Sequence, residues 1–158
     1  ESSATDCCSS PRRNGADALA RKYMFRIRDE HDYGAERGEG TKIVFGELTF
    51  PEDGFCLRYE EAEGDLAGCT THLTCTGSTL VSVVRTGPVA TELTVEPGRR
   101  HSCPYETEYG TLLLGVTGEQ VEADLDEQGG ELRFSYTIDH DGDIVARNTL
   151  HITVKETF

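Results

Sequence analysis

The stretch ELRFSYTIDHDGDIVARNTLHITVK at residues 131–155 decides the fold. Apolar side chains recur at every second residue on both sides of Asp141-Gly142, a pattern typical of half-buried strands. Two alternating runs joined by a short Asp-Gly turn predict an antiparallel β-hairpin. The predicted inward-facing residues are Leu132, Phe134, Tyr136 and Ile138 before the turn, and Ile144, Ala146, Asn148, Leu150, Ile152 and Val154 after it.

The same period of two continues through most of the chain from Arg21 onward. Glycines and prolines interrupt it about every 10–12 residues, which is the strand spacing of an all-β meander, barrel or sandwich. No window has the 3.6-residue apolar period of a helix of ordinary length. An open sheet of so many strands would leave two unprotected edges, which closure removes. We therefore predict an all-β fold in which a single antiparallel meander closes into a barrel of about 8–11 strands.

The first twenty residues form a separate segment. They are small and polar, without the run of roughly 7–15 apolar residues that a secretory signal requires. The only methionine, Met24, stands at the onset of the alternating pattern, so we expect either a processed chain or a natural start near this residue. The predicted organisation is a disordered extension over residues 1–20 and one β-barrel domain over residues 21–158.

The net charge limits the class of partner. The chain of 158 residues carries 15 Lys and Arg against 29 Asp and Glu, a formal charge of −14 at pH 7. Nucleic acids and anionic membranes bind basic surfaces that displace counterions, so we expect neither as a partner. No apolar stretch approaches the roughly 18 residues that predict a membrane-spanning helix.

Five short elements along the chain carry a family resemblance. In chain order they are Y-E-E at 59–61, R-x-G at 85–87, Y-x-T-x-Y-G at 105–110, G-x-L-x-F-x-Y at 130–136 and N-x-L-x-I at 148–152. Together they resemble the DUF1934 (YwiB-like) family of small bacterial proteins over roughly residues 23–158. The resemblance implies a lipocalin-like (calycin) β-barrel. It implies no activity, because the family is functionally uncharacterised.

Side chains of the first two elements are candidates for a binding site at one end of the barrel. Tyr59 and Glu61 share the parity of the apolar Leu57, which predicts that both face inward. Arg85 lies in a segment that is apolar on both faces, so its orientation stays open. Facing inward beside Glu61, it would be an anchor for a carboxylate or phosphate. The alternative is a salt bridge that ties two strands together at the rim.

Polar side chains of the later elements extend this candidate site. Asn148 stands in an otherwise apolar row together with Tyr136, and burying an amide is unfavourable unless it is paired. Asn148 would contact a ligand or make a structural hydrogen bond to a neighbouring tyrosine or backbone group. Tyr105 and Tyr109 share one parity and would add hydroxyl groups to the same mouth. Half-buried packing at the rim is the other interpretation of these two tyrosines.

Motifs for catalysis and metal binding are poor. The five histidines are scattered without ligand spacing, and no G-x-S-x-G nucleophile motif is present. The acidic run at 139–143 lacks the spacing and the terminal Glu of a calcium loop, and a hairpin turn explains it more simply. We therefore predict no catalytic residue, no metal ion and no cofactor, which favours a protein that is not an enzyme.

The cysteines bear on the compartment. If residues 64–65 centre the loop between two neighbouring strands, Cys56 and Cys75 point to opposite faces and cannot form a disulfide with each other. Cys69 and Cys103 have no evident partner either. Six free thiols and a cytoplasmic location are therefore expected.

Two functions from different classes fit these observations. The first is non-catalytic binding of a small, partly apolar ligand inside the barrel, oriented by the polar candidates. Acidic rim residues would favour delivery of a neutral or cationic ligand. The alternative is a protein-interaction module with an acidic surface, a basic partner and a filled barrel. A cavity of about a few hundred cubic ångströms would favour ligand binding, whereas a solid core with an exposed apolar patch would favour the alternative.

Overall fold

The computed structural model describes residues 22–34, 36–62, 64–107 and 109–157. The predicted extension over residues 1–20 lies outside this part of the chain. The described strands are β1 (Lys22–Asp32), β2 (Arg37–Thr49), β3 (Gly54–Glu60), β4 (Thr70–Thr76), β5 (Leu80–Thr86), β6 (Thr91–Val95), β7 (Arg100–Thr107), β8 (Gly110–Asp126), β9 (Gly129–His140) and β10 (Asp143–Thr157). A short 3-10 helix (Gly64–Leu66) lies between β3 and β4.

The ten strands form one antiparallel sheet in the order β6-β5-β4-β3-β2-β1-β10-β9-β8-β7. The pairing of β1 with β10, from Lys22 with Thr157 to Asp32 with Arg147, joins the first and last strands of the meander. A seam remains between β6 and β7, where the described residues form only isolated bridges such as Glu96 with Arg99. The prediction of an all-β meander that closes into a barrel is confirmed, and the barrel is nearly closed.

The β9–β10 hairpin has the predicted register over most of its length. Phe134 pairs with Leu150 and Leu132 pairs with Ile152. Near the turn, however, a β-bulge lies between Ile144 and Ala146, and Ile144 is 64% exposed. The expected inward placement of Ile144 is wrong, because the extra residue of the bulge puts Ile144, which precedes it, on the opposite face from Ala146 and the residues after it.

A glycine lets a half-exposed arginine pair with a buried aspartate on the outside of the barrel. Arg100 of β7 donates two hydrogen bonds, of 2.9 and 2.8 Å, to the carboxylate of Asp139 on β9. The guanidinium crosses over Gly115 of the intervening strand β8, where a Cβ atom would overlap it. Asp139 is therefore buried although it lies on the face predicted to be polar.

The cysteines correct one expectation. Cys56 pairs with Thr74 and Cys75 pairs with Phe55 across β3 and β4, so the two cysteines face opposite sides as parity predicts. Cys69, Cys75 and Cys103 are free and buried, but Cys56 is disulfide-bonded. The prediction of six free thiols is therefore wrong at Cys56. Parity excludes a disulfide between Cys56 and Cys75 on neighbouring strands, but it does not exclude a disulfide to another part of the chain. The cytoplasmic location that rested on free thiols stays a prediction.

Candidate functional site

The inward-facing rows of four strands change from apolar to polar at one end of the barrel. Strands β1, β3 and β5 run toward this end and β10 runs away from it, as an antiparallel sheet requires. The changes are from Ile27 to Asp29 on β1, from Tyr59 to Glu61 after β3, from Val83 to Arg85 on β5, and from Leu150 to Asn148 on β10. We call this end the polar mouth.

A cavity of about 460 Å³ lies at the polar mouth, within the range of roughly 300–1,000 Å³ that small-molecule pockets occupy. Its apolar lining consists of Ile27, Leu66, Val83, Leu93, Phe134 and Leu150. Its polar side chains are Asp29, Thr41, Lys42, Tyr59, Arg85, Tyr136 and Asn148. The barrel is therefore not filled at this end.

Glu61 is the centre of the charged network at the polar mouth. Its carboxylate accepts hydrogen bonds from Lys42 Nζ at 2.7 Å and from the Thr71 hydroxyl at 2.9 Å. Arg85 Nε lies 3.6 Å from Glu61 Oε2. Burial by itself raises the pKa of Glu61, but the hydrogen bonds from Lys42 and Thr71 and the charges of Lys42 and Arg85 outweigh burial and lower it. The carboxylate is therefore ionised at neutral pH.

Lowering the pH should weaken the interactions of Glu61 and so lower the stability of the protein. The substitution Glu61→Gln should remove this part of the pH dependence of stability. Because the pKa of Glu61 is lowered by folding, its contribution to stability is present above the ordinary value of 4.5 and is lost as pH falls through the lower folded value. We expect the difference in unfolding free energy between wild type and E61Q to be largest near neutral pH and to shrink in acid.

Urea unfolding at about pH 7 and about pH 3.5 measures this difference. Glu47→Gln is the matched control, since Glu47 is exposed and lies 3.7 Å from Arg58 in a surface ion pair. It should change stability by less than about 1 kcal/mol at either pH. An E61Q difference of equal size at both pH values would contradict the prediction.

Tyr59 lies inside the polar mouth beneath this network. Its ring makes an edge-to-face contact with Phe25, with centroids 6.0 Å apart, and Lys42 Nζ lies 5.7 Å from its centroid. Burial, followed by the negative charge of Glu61, raises the pKa of Tyr59 to about 12. The phenol is therefore neutral under physiological conditions. Tyr59 and Arg85 line the cavity, and Glu61 is buried beside them.

Asn148 and Tyr136 are paired across β10 and β9 and form another polar part of the cavity wall. The Asn148 amide nitrogen donates to the Tyr136 hydroxyl at 3.2 Å, which is the structural hydrogen bond offered as one interpretation of the sequence. Burial raises the pKa of Tyr136, so this hydroxyl also keeps its proton.

Two buried polar atoms of residues that line the cavity have no hydrogen-bond partner within the described ranges. They are Nε of Arg85 and Oδ1 of Asn148. Nearly all buried polar atoms in folded proteins are paired, because an unpaired one retains its desolvation penalty. One of these atoms is a donor and the other an acceptor, so a bound molecule that satisfies both must offer an acceptor and a donor.

Tyr105 and Tyr109 lie away from the cavity. The pairing of β8 with β9 begins at Gly115, which lies opposite Asp139. The part of the β7–β8 hairpin that precedes Gly115 on β8 therefore extends beyond β9. Tyr105 is 48% exposed and Tyr109 is 93% exposed. Their expected place at the mouth is wrong, because parity fixes the face of a strand but not whether another strand stands opposite it.

Two charged residues of the polar mouth were not predicted from the sequence. Lys42 was missed because β2 carries apolar residues on both faces, with Val44 partly buried and Ile43 54% exposed. The signal for Asp29 was present, since one further step of the alternation that contains Ile27 reaches it.

In the ranges that the structure describes, no group of three or more His, Cys, Asp or Glu residues could hold a metal ion. Those ranges also contain no helix that is long and apolar enough to cross a membrane.

The fold and the site define a small antiparallel β-barrel with a cavity at one polar end. A family model for a domain of unknown function, DUF1934, matches residues 26–152, and the chain belongs to this family. The crystal structure of the ywiB protein from Bacillus subtilis is similar, with a TM-score of 0.76 and 20% identity over 91% of this chain and 100% of that chain. This likeness shows the shared fold. A comparison with curated proteins finds no match.

Proposed function

We propose that this protein binds a small, partly apolar ligand in the cavity at the polar mouth and does not convert it chemically. The observation that carries the proposal is the pair of unpartnered buried atoms, Arg85 Nε and Asn148 Oδ1, which belong to two residues that line one cavity. Apolar side chains such as Phe134 and Leu150 line the same cavity. A few convergent polar groups within an apolar pocket are typical of small-molecule sites.

The protonation states of the cavity support binding without catalysis. A general acid or base works best when its pKa lies near the operating pH. The pKa of Glu61 is lowered and that of Tyr59 is raised to about 12, so each group is held in one protonation state near neutrality. These groups are suited to orienting a ligand.

The alternative function, a protein-interaction module, has support of a different kind. Leu113 at the β7–β8 hairpin is 63% exposed and Ile144 after the β9–β10 turn is 64% exposed. Asp141 and Asp143 lie beside Ile144 in the sequence, so an exposed apolar surface there has acidic neighbours that would suit a basic partner. The filled barrel that accompanied this alternative is at odds with the cavity, and ligand binding is the better supported function.

Native mass spectrometry of the full chain purified from its own host tests ligand binding. We expect a reproducible small-molecule adduct on the wild-type protein. Leucine has a volume similar to that of asparagine but no hydrogen-bond acceptor. Asn148→Leu should therefore weaken the apparent affinity for the ligand by roughly tenfold and lower the occupancy of the adduct. Thr153→Val on the outer side of β10 is the control and should retain the adduct.

Absence of any adduct from the wild-type protein in repeated preparations would count against ligand binding. An adduct that Asn148→Leu retains as well as Thr153→Val does would place the ligand outside this cavity. Urea unfolding of each variant shows that it is folded before the spectra are compared.

A further inference from the structure

We propose that the ligand of this cavity is a small carboxylic acid with an apolar body, bound with its carboxylate against Arg85. The inference rests on the proposed function, because it assigns a chemical class to the ligand of the same site. It depends on the charges at the polar mouth and on which hydrogen bonds they already make.

Among the described residues, the hydrogen bonds of Glu61 leave Nε of Arg85 without a hydrogen-bonded carboxylate. Lys42 Nζ occupies Oε1 at 2.7 Å, and the Thr71 hydroxyl occupies Oε2 at 2.9 Å. Arg85 Nε stands 3.6 Å from Oε2, which is longer than a hydrogen bond. The Arg85 side chain is only 27% exposed, so solvent replaces the missing partner only in part.

The formal charges at the polar mouth balance although the whole chain is acidic. Lys42 and Arg85 both face the buried Glu61, and Asp29 also lines the cavity. Asp29 is 46% exposed and lies 3.5 Å from His31 Nδ1, so solvent screens its charge more than that of Glu61. An incoming carboxylate would give Arg85 the hydrogen-bonded counterion that Glu61 does not provide.

A carboxylate matches the chemistry of Arg85 better than a neutral or cationic group does. The guanidinium presents parallel N–H donors that a carboxylate accepts in pairs, and these charge-assisted bonds are roughly twice as strong as neutral ones. An ammonium group would meet the positive charges of Lys42 and Arg85. The second negative charge of a phosphate ester would add to the repulsion from Glu61 and Asp29, so a single negative charge fits best.

The acidic outer surface does not reverse this preference. At physiological ionic strength the Debye length is about 8 Å, so the exposed carboxylates are largely screened from a ligand in contact with Arg85. Their long-range field acts mainly on the rate of association. The charge of −14 therefore affects how fast an anion arrives more than whether it stays bound.

Arg85 also lines a smaller cavity of about 220 Å³ at the seam of the barrel, together with Glu92 and Glu106. Because these two carboxylates repel an anion, we expect the ligand to enter through the larger cavity.

Asn148 adds a second requirement to the ligand class. Its unpartnered Oδ1 accepts a hydrogen bond, so the ligand should carry a hydroxyl or N–H group away from the carboxylate. Phe134 and Leu150 line the same cavity and suit an apolar body between these two ends. The class is therefore a hydroxy or acylamino acid with an aliphatic or aromatic body.

Isothermal titration of the full chain with three matched probes tests the charge preference. The probes are 3-(4-hydroxyphenyl)propionate, its primary amide, and the corresponding 3-(4-hydroxyphenyl)propylamine, which carry negative, zero and positive charge on the same body. We expect the acid to bind at least about tenfold more tightly than the amide, since charge-assisted bonds exceed neutral ones by about 1.4 kcal/mol. The amine should bind most weakly.

Arg85→Gln keeps a hydrogen-bond donor but removes the charge. It should weaken binding of the acid by at least about tenfold and change binding of the amide by less than about threefold. Arg133→Gln is the control, because Arg133 is exposed on β9 and its loss changes the net charge equally. It should leave both affinities unchanged.

The outcomes separate the two proposals. If the amide or the amine binds as tightly as the acid, or if Arg85→Gln retains the acid, the carboxylate assignment is overturned while ligand binding stands. If no probe binds the folded wild-type protein, the carboxylate assignment fails, and the native mass spectra then decide whether ligand binding fails as well.

Discussion

Substituting Gly46→Ala should unfold the barrel or destabilise it by about 3 kcal/mol or more. Gly46 lies in β2, where it pairs with Tyr23 on β1 and Tyr59 on β3. A Cβ atom at this position would overlap the backbone carbonyl oxygen of Arg58 and lie 2.9 Å from the Phe25 ring. The carbonyl belongs to a paired strand, so it cannot move away without disturbing the sheet.

Gly40→Ala is the matched control in the same strand. A Cβ atom at Gly40 would meet nothing within 4 Å, and alanine restricts the unfolded chain more than glycine does. We expect a change of less than about 1 kcal/mol in the unfolding free energy. Urea unfolding monitored by circular dichroism measures both variants, and equal stabilities would show that the space around Gly46 is not as tight as the structure indicates.

The second large effect is expected for Phe25→Ala, at about 3–5 kcal/mol. Phe25 is fully buried at 0% exposure, and its ring contacts Tyr59 from β3 edge-to-face. Removing the ring takes away apolar contacts and leaves a cavity in the centre of the barrel, and both effects destabilise the folded state.

Phe45→Ala provides the same chemical change on the outside of the barrel. Phe45 lies on β2, adjacent to β1, and is 58% exposed. We expect it to cost less than about 1 kcal/mol, and the shift of the urea midpoint at constant m-value gives both numbers. A cost for Phe25→Ala no larger than that for Phe45→Ala would contradict the assigned core.

The alternation of apolar residues was sufficient to predict the barrel but not its details. Leu132 and Phe134 occupy the inward row that the period of two predicts, because one face of each strand packs on the core and the other faces solvent. Ile144 departs from that row because a bulge depends on the local backbone rather than on the pattern. The seam between β6 and β7 was likewise hidden, since closure depends on the curvature of the whole sheet.

The polar mouth was predictable where the parity of a strand was unambiguous. Glu61 follows a strand with a clear inward row, and its placement could be inferred from the sequence. Lys42 stands in a strand that is apolar on both faces, so only the tertiary structure distinguishes inside from outside. The prediction for Tyr105 was wrong for a different reason. The parity of its strand is clear, but its hairpin continues past the strands that would cover it.

The pairing of β1 with β10 has a consequence for the synthesis of the chain on the ribosome. Strands β2 to β6 can pair with their predecessors as they emerge, because each neighbour in the sheet is also the neighbour in sequence. The other edge of β1, by contrast, pairs with β10. Met24 pairs with Lys155 and Arg26 pairs with Thr153, and these partners are translated more than a hundred positions later. The nascent sheet therefore carries an unpaired edge until β10 has been synthesised, and protection of that edge falls to chaperones or to the charged side chains along it.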